Sequence, residues 1–169
     1  MIIGNPYQFS IISKVIDEWN EKGCKTFQNG VLLICIDGNV FPKEVVTATL
    51  AREIPILEQS LKELAVNKEL FDMEREKAFT ELYRIRFPDY KSGICEDYQY
   101  DISPDSLADM SCYVFAVSNG TQIRFLAAEL EYILAESTHN LTNANIAEAF
   151  ATNDELRNII SELGNLLSR

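Results

Sequence analysis

Four aspartates at steps of four, Asp97, Asp101, Asp105 and Asp109, are the residues whose type and spacing come nearest to a chemical pattern. On one helix they would share a face and repel by a few tenths of a kcal/mol per pair. Pro104 and the alternation of Tyr98, Tyr100 and Ile102 with polar partners argue against such a helix, so a loop and strand end carrying fixed negative charge is expected. The Asp-x-Asp-x-Asp-Gly spacing of a calcium loop is absent. A carboxylate-based divalent-metal enzyme or a glycosidase pair stays open as an alternative, though no other residue points to either.

The remaining reactive residue types are scarce. His139 is the one histidine, in a polar stretch (Ser137-Thr-His-Asn140) that predicts a surface loop. Without a second histidine, histidine-based zinc centres and two-histidine iron sites are excluded, and at most one Cys-His or Ser-His site is possible. Cys24, Cys35, Cys95 and Cys112 form no Cys-x-x-Cys pair. Cys35 and Cys112 lie in apolar runs and are expected as small buried hydrophobes with reduced thiols. Neither a Gly-x-x-x-x-Gly-Lys-Ser/Thr loop nor a Gly-x-Gly-x-x-Gly turn occurs. No enzyme, no cofactor and no metal is therefore expected.

Charge is distributed unevenly. Residues 92–156 hold eleven acids against one base, Arg124, a net of −10, out of −11 for the whole chain of 169 residues. Such a field attracts cations or a basic macromolecule and repels nucleic acid and anionic membranes, although acidity for solubility alone, as in a structural or adaptor protein, remains an alternative. Tyr90, Tyr98, Tyr100 and Tyr113 interleave with these acids, a mixture suited to a protein interface, or else are half-buried sheet residues. The expected partner-binding residues are Glu96, Asp97, Tyr98, Tyr100, Asp101, Asp105 and Asp109.

The elements that must position them are legible in outline. At 47% hydrophobic and 24% charged, the chain is expected to be a single domain over 1–169. The N-terminus lacks the features of a signal peptide and no apolar run approaches the ~20 residues of a membrane span, so a cytoplasmic location is expected. Tyr7, Phe9 and Ile11 predict a strand after Pro6. Val31–Ile36 predicts a strand buried on both faces, turning at Asp37-Gly38 into Val40-Phe41. Residues 45–49 should be extended. A helix is predicted from Ile54, because Pro55 suits a first turn, with Leu57, Leu61 and Leu64 on its apolar stripe. Asn67 should cap a second helix that buries Leu70, Met73, Ala78, Leu82 and Ile85 and stops before Pro88. Cys112–Val117 and Gln122–Leu126 flank Asn119-Gly120, a strong hairpin signal. A further strand is expected over Leu130, Tyr132 and Leu134. Thr152-Asn-Asp-Glu155 is a capping box before Leu156, Ile159, Ile160, Leu163 and Leu167. The order predicts an α+β fold, a mostly antiparallel sheet with helices packed on one face.

Several stretches resemble the immunity protein 42 family of bacterial polymorphic-toxin and contact-dependent inhibition systems: Gly4-Asn-Pro-Tyr-Gln-Phe-Ser10, Val15-Ile-Asp-Glu-Trp-Asn20, and Gly30-Val-Leu-Leu-Ile-Cys-Ile-Asp-Gly38 with Phe41-Pro42. Asp101-Ile-Ser-Pro-Asp-Ser-Leu-Ala-Asp109, then an apolar strand and Ile123-Arg124, is also similar. The likeness covers most of the chain in order and is strongest at 1–42 and 101–124. It implies a small cytosolic α+β protein that binds and neutralises one cognate toxin domain, and it implies no catalytic residues; the acidic charge adds the expectation of a basic toxin, with a nuclease as the candidate class.

Overall fold

Short apolar runs broken by turn residues build the first half of the chain, and the computed structural model describes residues 1–22 and 26–166. The strands β1 (Ile2–Gly4), β2 (Phe9–Val15), β3 (Asn29–Ile36), β4 (Asn39–Phe41) and β5 (Ala48–Thr49) form sheet A. Its order is β1-β2-β3-β4, with β5 pairing β3, and every pair is antiparallel. The β3–β4 turn is the expected one, with positive φ at both Asp37 and Gly38. Other expectations shift. Tyr7 lies outside the strand and is exposed. In β3, Leu32, Ile34 and Ile36 are buried on one face, while on the other Cys35 is buried but Val31 and Leu33 are only partly so, and the second face is covered only at its end. Of residues 45–49 only the last two are strand. Cys24 lies outside the described residues.

The helices follow: α1 (Leu50–Lys62), α2 (Lys68–Asp72) and α3 (Arg75–Arg86). The first begins four residues before Ile54, with Pro55 inside it. Partners for the first turn account for the early start: Leu50 N–H donates to the Gln28 carbonyl at 3.1 Å, Ala51 N–H to that of Phe27 at 3.3 Å, and a side-chain acceptor comes from Glu53. Its Oε1 accepts the Thr49 N–H at 3.0 Å, satisfying an orphan donor of the first turn. Its Oε2 accepts Ser106 N–H at 3.1 Å and Ser106 O–H at 2.6 Å, so one buried carboxylate serves the starts of two helices. Asn67 caps α2 as expected, accepting from Leu70 N–H. The predicted second helix is divided, however, because Met73 and Glu74 are extended between α2 and α3.

After α4 (Asp105–Ala108), the long hairpin β6 (Cys112–Ser118) and β7 (Gln122–Glu129) turns at Asn119-Gly120. The short pair β8 (Glu131–Ile133) and β9 (Thr138–Asn140) comes next. Strand β10 (Ala147–Thr152), whose alanine-rich run carries little strand propensity, completes sheet B in the order β10-β7-β6. Helix α5 (Asn153–Gly164) opens with the expected capping box, Thr152 and Glu155 bonding reciprocally; Leu167 lies outside the described residues.

The fold is thus α+β with antiparallel sheets. Sheet B is its central layer. On one side, Val114, Ala116, Ile123, Phe125 and Ala127 pack against the inner face of sheet A, with α1 and α5 closing the same core. Phe9 and Phe125 stack across it, ring centres 3.9 Å apart. On the other side, Phe115, Val117, Leu126 and Ala128 meet Leu70, Phe71, Phe79 and Leu82 of α2 and α3. Burial on both faces explains why β6 reads as an unbroken apolar run.

Arg124, the lone base of the acidic stretch, is 4% exposed on β7. Its Nη1 lies 3.2, 2.8 and 2.6 Å from the carbonyl oxygens of Leu70, Phe71 and Met73 at the end of α2. Its Nε donates to Glu148 on β10 at 2.7 Å. A helix C-terminus leaves its carbonyls without partners, and a guanidinium supplies enough donors to satisfy several at once.

Candidate functional site

The last turn of α3 delivers Arg86 beside the loop 94–101, and the expected contact residues gather there. Arg86 Nη1 donates to Glu96 Oε2 at 2.7 Å and Nε to Asp101 Oδ2 at 2.9 Å. Its guanidinium carbon sits 3.7 Å from the Tyr98 ring centre and 4.3 Å from that of Phe87. The Tyr98 hydroxyl donates to the same Glu96 oxygen at 2.7 Å. That bond, together with Arg86, holds the Glu96 carboxyl below its usual range, and the same bond raises the Tyr98 phenol above its own against the opposing charge of Arg86. Asp101 Oδ1 accepts the Ser103 N–H at 2.8 Å, and Asp97 Oδ1 the Gln99 N–H at 3.0 Å.

From Phe87 a run of rings leads away from this hub. Phe87 meets Tyr113 at 5.1 Å, Tyr113 meets His139 at 5.2 Å, and His139 meets Tyr132 at 5.1 Å between ring centres. His139 Nδ1 is 2.7 Å from Tyr83 Oη, and Nε2 is 3.0 Å from Ser111 Oγ. The expected surface-loop histidine is therefore a half-buried residue of β9, pinning the β8–β9 hairpin onto sheet B. Burial pushes its pKa down and lifts those of Tyr83 and Tyr113, the latter to about 12. With both ring nitrogens engaged, one by the Tyr83 hydroxyl and one by the Ser111 hydroxyl, the imidazole acts as an anchor for the hairpin.

Of the seven expected contact residues, Glu96, Tyr98 and Asp101 thus contact Arg86, and Asp97 lies in the same loop with its carboxylate on Gln99. Three lie elsewhere. Tyr100 turns into the core, 6% exposed, and accepts from Asn67 Nδ2 at 3.2 Å, so it offers a partner almost no surface. Asp105 begins α4 and pairs with Arg52 at 2.8 Å. Asp109 ends α4 and is exposed. The expected loop and strand end over Tyr98, Tyr100 and Ile102 is a loop joined to β6 by one bridge, Asp101 with Phe115. Arg86 and His139 were not expected as organising residues. Only the run Arg86-Phe87-Pro88, which must end a helix on a cation, hints at the first.

Exposed groups line the two ends of this arrangement: Ile94 and Tyr98 near the hub, Tyr132 and Leu134 on the hairpin, with Glu96, Glu131 and Glu136 among them and Asp97 half-buried. Chemically it offers aromatic and aliphatic contact area edged by carboxylates. Among the described residues no three His, Cys, Asp or Glu side chains are grouped to hold a metal ion, and no helix is long and apolar enough to cross a membrane.

Comparison with known proteins adds what geometry alone does not. The crystal structure of CdiI from Burkholderia dolosa AUO158 superposes with a TM-score of 0.75, covering 98% of this chain and 99% of that one at 22% identity, so the fold is shared. No curated protein matches the sequence. The model of the family described as Immunity protein 42 matches residues 1–166, and the chain belongs to that family.

Proposed function

We propose that this protein neutralises one cognate toxin domain by forming a tight one-to-one complex, and that the face running from Ile94–Asp101 to the β8–β9 hairpin is its contact surface. The match to the immunity family along nearly the whole described chain carries the reading. The face supplies exposed apolar anchors, Ile94, Tyr98, Tyr132 and Leu134, held on a fixed base by the edge-to-face rings and the Arg86 hub. Buried anchors of this type carry most of the affinity in protein complexes, while surrounding carboxylates set on-rate and orientation. A net charge of −11 favours a basic partner, and a nuclease, whose cleft is built for phosphates, is the toxin class that an acidic protein fits.

The test is co-expression with the toxin domain encoded beside this chain. Growth rescue and a complex by titration calorimetry are expected, with Tyr98→Ala and Tyr132→Ala each weakening binding at least tenfold. Absence of both rescue and complex removes the proposal; unchanged affinity in both tyrosine variants removes the surface.

A further inference from the structure

Three buried side-chain oxygens among the described residues make no hydrogen bond: Ser10 Oγ, Ser13 Oγ and Glu129 Oε2. Only the last bears charge. Glu129 ends β7 opposite Cys112, in phase along the strand with Ile123, Phe125 and Ala127, which face sheet A. It therefore points into the cleft between the two large sheets. That cleft widens there into a cavity of about 350 Å³, lined by Asn39, Phe41, Lys43, Glu129, Asn145 and Ala147. Pockets of this size accept a small ligand or a large side chain.

Lys43 does not satisfy the carboxylate. Its Nζ stands 3.7 Å from Oε2, beyond hydrogen-bond reach, and its side chain is 71% exposed, a solvated arm across the mouth. The surroundings add negative charge. Asp109 at the end of α4 and Glu131 at the start of β8 flank the same end of sheet B, and neither joins an ion pair among the described residues.

We propose that this cavity is a receptor for a guanidinium group: an arginine side chain of the toxin enters between Asn39 and Asn145, displaces the Lys43 arm, and donates to both oxygens of Glu129. The inference rests on the toxin-binding reading above and names a second contact for it. Glu129 Oε2 is sealed from water in the free protein although the side chain as a whole is 32% exposed, so a partner that supplies donors meets little further desolvation at that one atom. The planar fork of a guanidinium matches both oxygens, whereas an ammonium is a point charge that serves one. Phe41 and Ala147 supply apolar walls for the alkyl stem.

Two arms test this separately from the parent reading. In the first, agmatine is titrated into the protein alone and followed by amide NMR. Saturable shifts at Asn39, Glu129 and Asn145, lost in Glu129→Gln, are expected; no saturable shift there overturns the receptor whether or not any toxin binds. In the second, affinity for the adjacent-gene toxin domain is measured for Glu129→Gln and for Asn145→Trp, which blocks an exposed rim position while keeping the charge. Both variants should melt cooperatively and bind at least tenfold more weakly. A toxin complex of unchanged affinity in both variants overturns the receptor and leaves the immunity reading standing.

Discussion

Replacing Arg124 with Met keeps much of the side-chain volume and removes every donor. Three carbonyls at the end of α2, those of Leu70, Phe71 and Met73, lose the guanidinium that lies within 3.2 Å of each, and Glu148 loses its partner. A buried acceptor left without a donor costs about 1 kcal/mol or more, and breaking a buried ion pair costs about 3–5 kcal/mol when the stranded charge stays dry. Glu148 is not fully dry; its side chain is 25% exposed and can rehydrate, which lowers that second contribution. The expected loss is roughly 3–4 kcal/mol out of a total of about 5–15, lowering the melting temperature by about 10 °C. Urea denaturation of wild type, Arg124→Met, Glu148→Gln and the double variant measures it. Glu148→Gln should cost less than Arg124→Met, and the double variant less than the sum of the two. A loss below about 1 kcal/mol for Arg124→Met, or strict additivity in the cycle, would refute the view that this arginine ties α2 to sheet B.

Glu53→Ala strips acceptors from Thr49 and Ser106 together and should cost about 2–4 kcal/mol by urea denaturation, whereas Ser106→Ala should cost only about 1. At Gly30, an added Cβ would meet Leu50 Cδ1 at 2.7 Å and the Lys14 carbonyl closer still, so Gly30→Ala should destabilise by about 1–3 kcal/mol, read by thermal melting. The pKa of His139 is depressed by burial in the folded state, so the unfolded chain binds the extra proton first as pH falls. Stability should therefore be flat above about pH 7 and decline as pH drops through about 6.5, and His139→Gln should flatten that part of the profile. Native-state alkylation followed by peptide mapping should label exposed Cys95 and spare Cys112, whose thiol burial lifts to about 12.

What was legible in the sequence was local. The turns at Asp37-Gly38 and Asn119-Gly120, the Asn67 cap and the Thr152 capping box each rest on residues within four positions of one another, and each stands where expected. The departures come from distant partners. Helix α1 begins early because the carbonyls of Gln28 and Phe27, more than twenty residues back, accept its first N–H groups, while Glu53 is held by Ser106, fifty-three residues on. His139 sits in a polar stretch, yet Tyr83 and Ser111 draw it against sheet B. Strand β10, built on alanine, is held by pairing with β7 and carries no strong propensity of its own. The resemblance to the immunity family was legible because it depends on many weak matches in order, which folding does not rearrange.

The acidic stretch shows why charge read along a chain differs from charge read across a surface. Among the described residues, six of its eleven acids are in ion pairs: Glu96, Asp101, Asp105, Glu129, Glu148 and Asp154. Of their partners Lys43, Arg52, Arg86, Arg124 and Arg157, only Arg124 comes from the stretch itself. Folding thus spreads the imbalance by bringing in bases from elsewhere, and a concentrated anionic patch over residues 92–156 does not follow from the sum. Pairing cannot change the total, however, and −11 on a chain of this size still biases the approach of a cation at distances beyond the Debye length of about 8 Å only weakly, and inside it strongly. Selectivity must then come from close contact. The groups placed to provide it are the rings of Tyr98 and Tyr132, which present exposed area, and the Glu129 carboxylate beside the cavity, whose Oε2 Lys43 approaches only to 3.7 Å without a hydrogen bond.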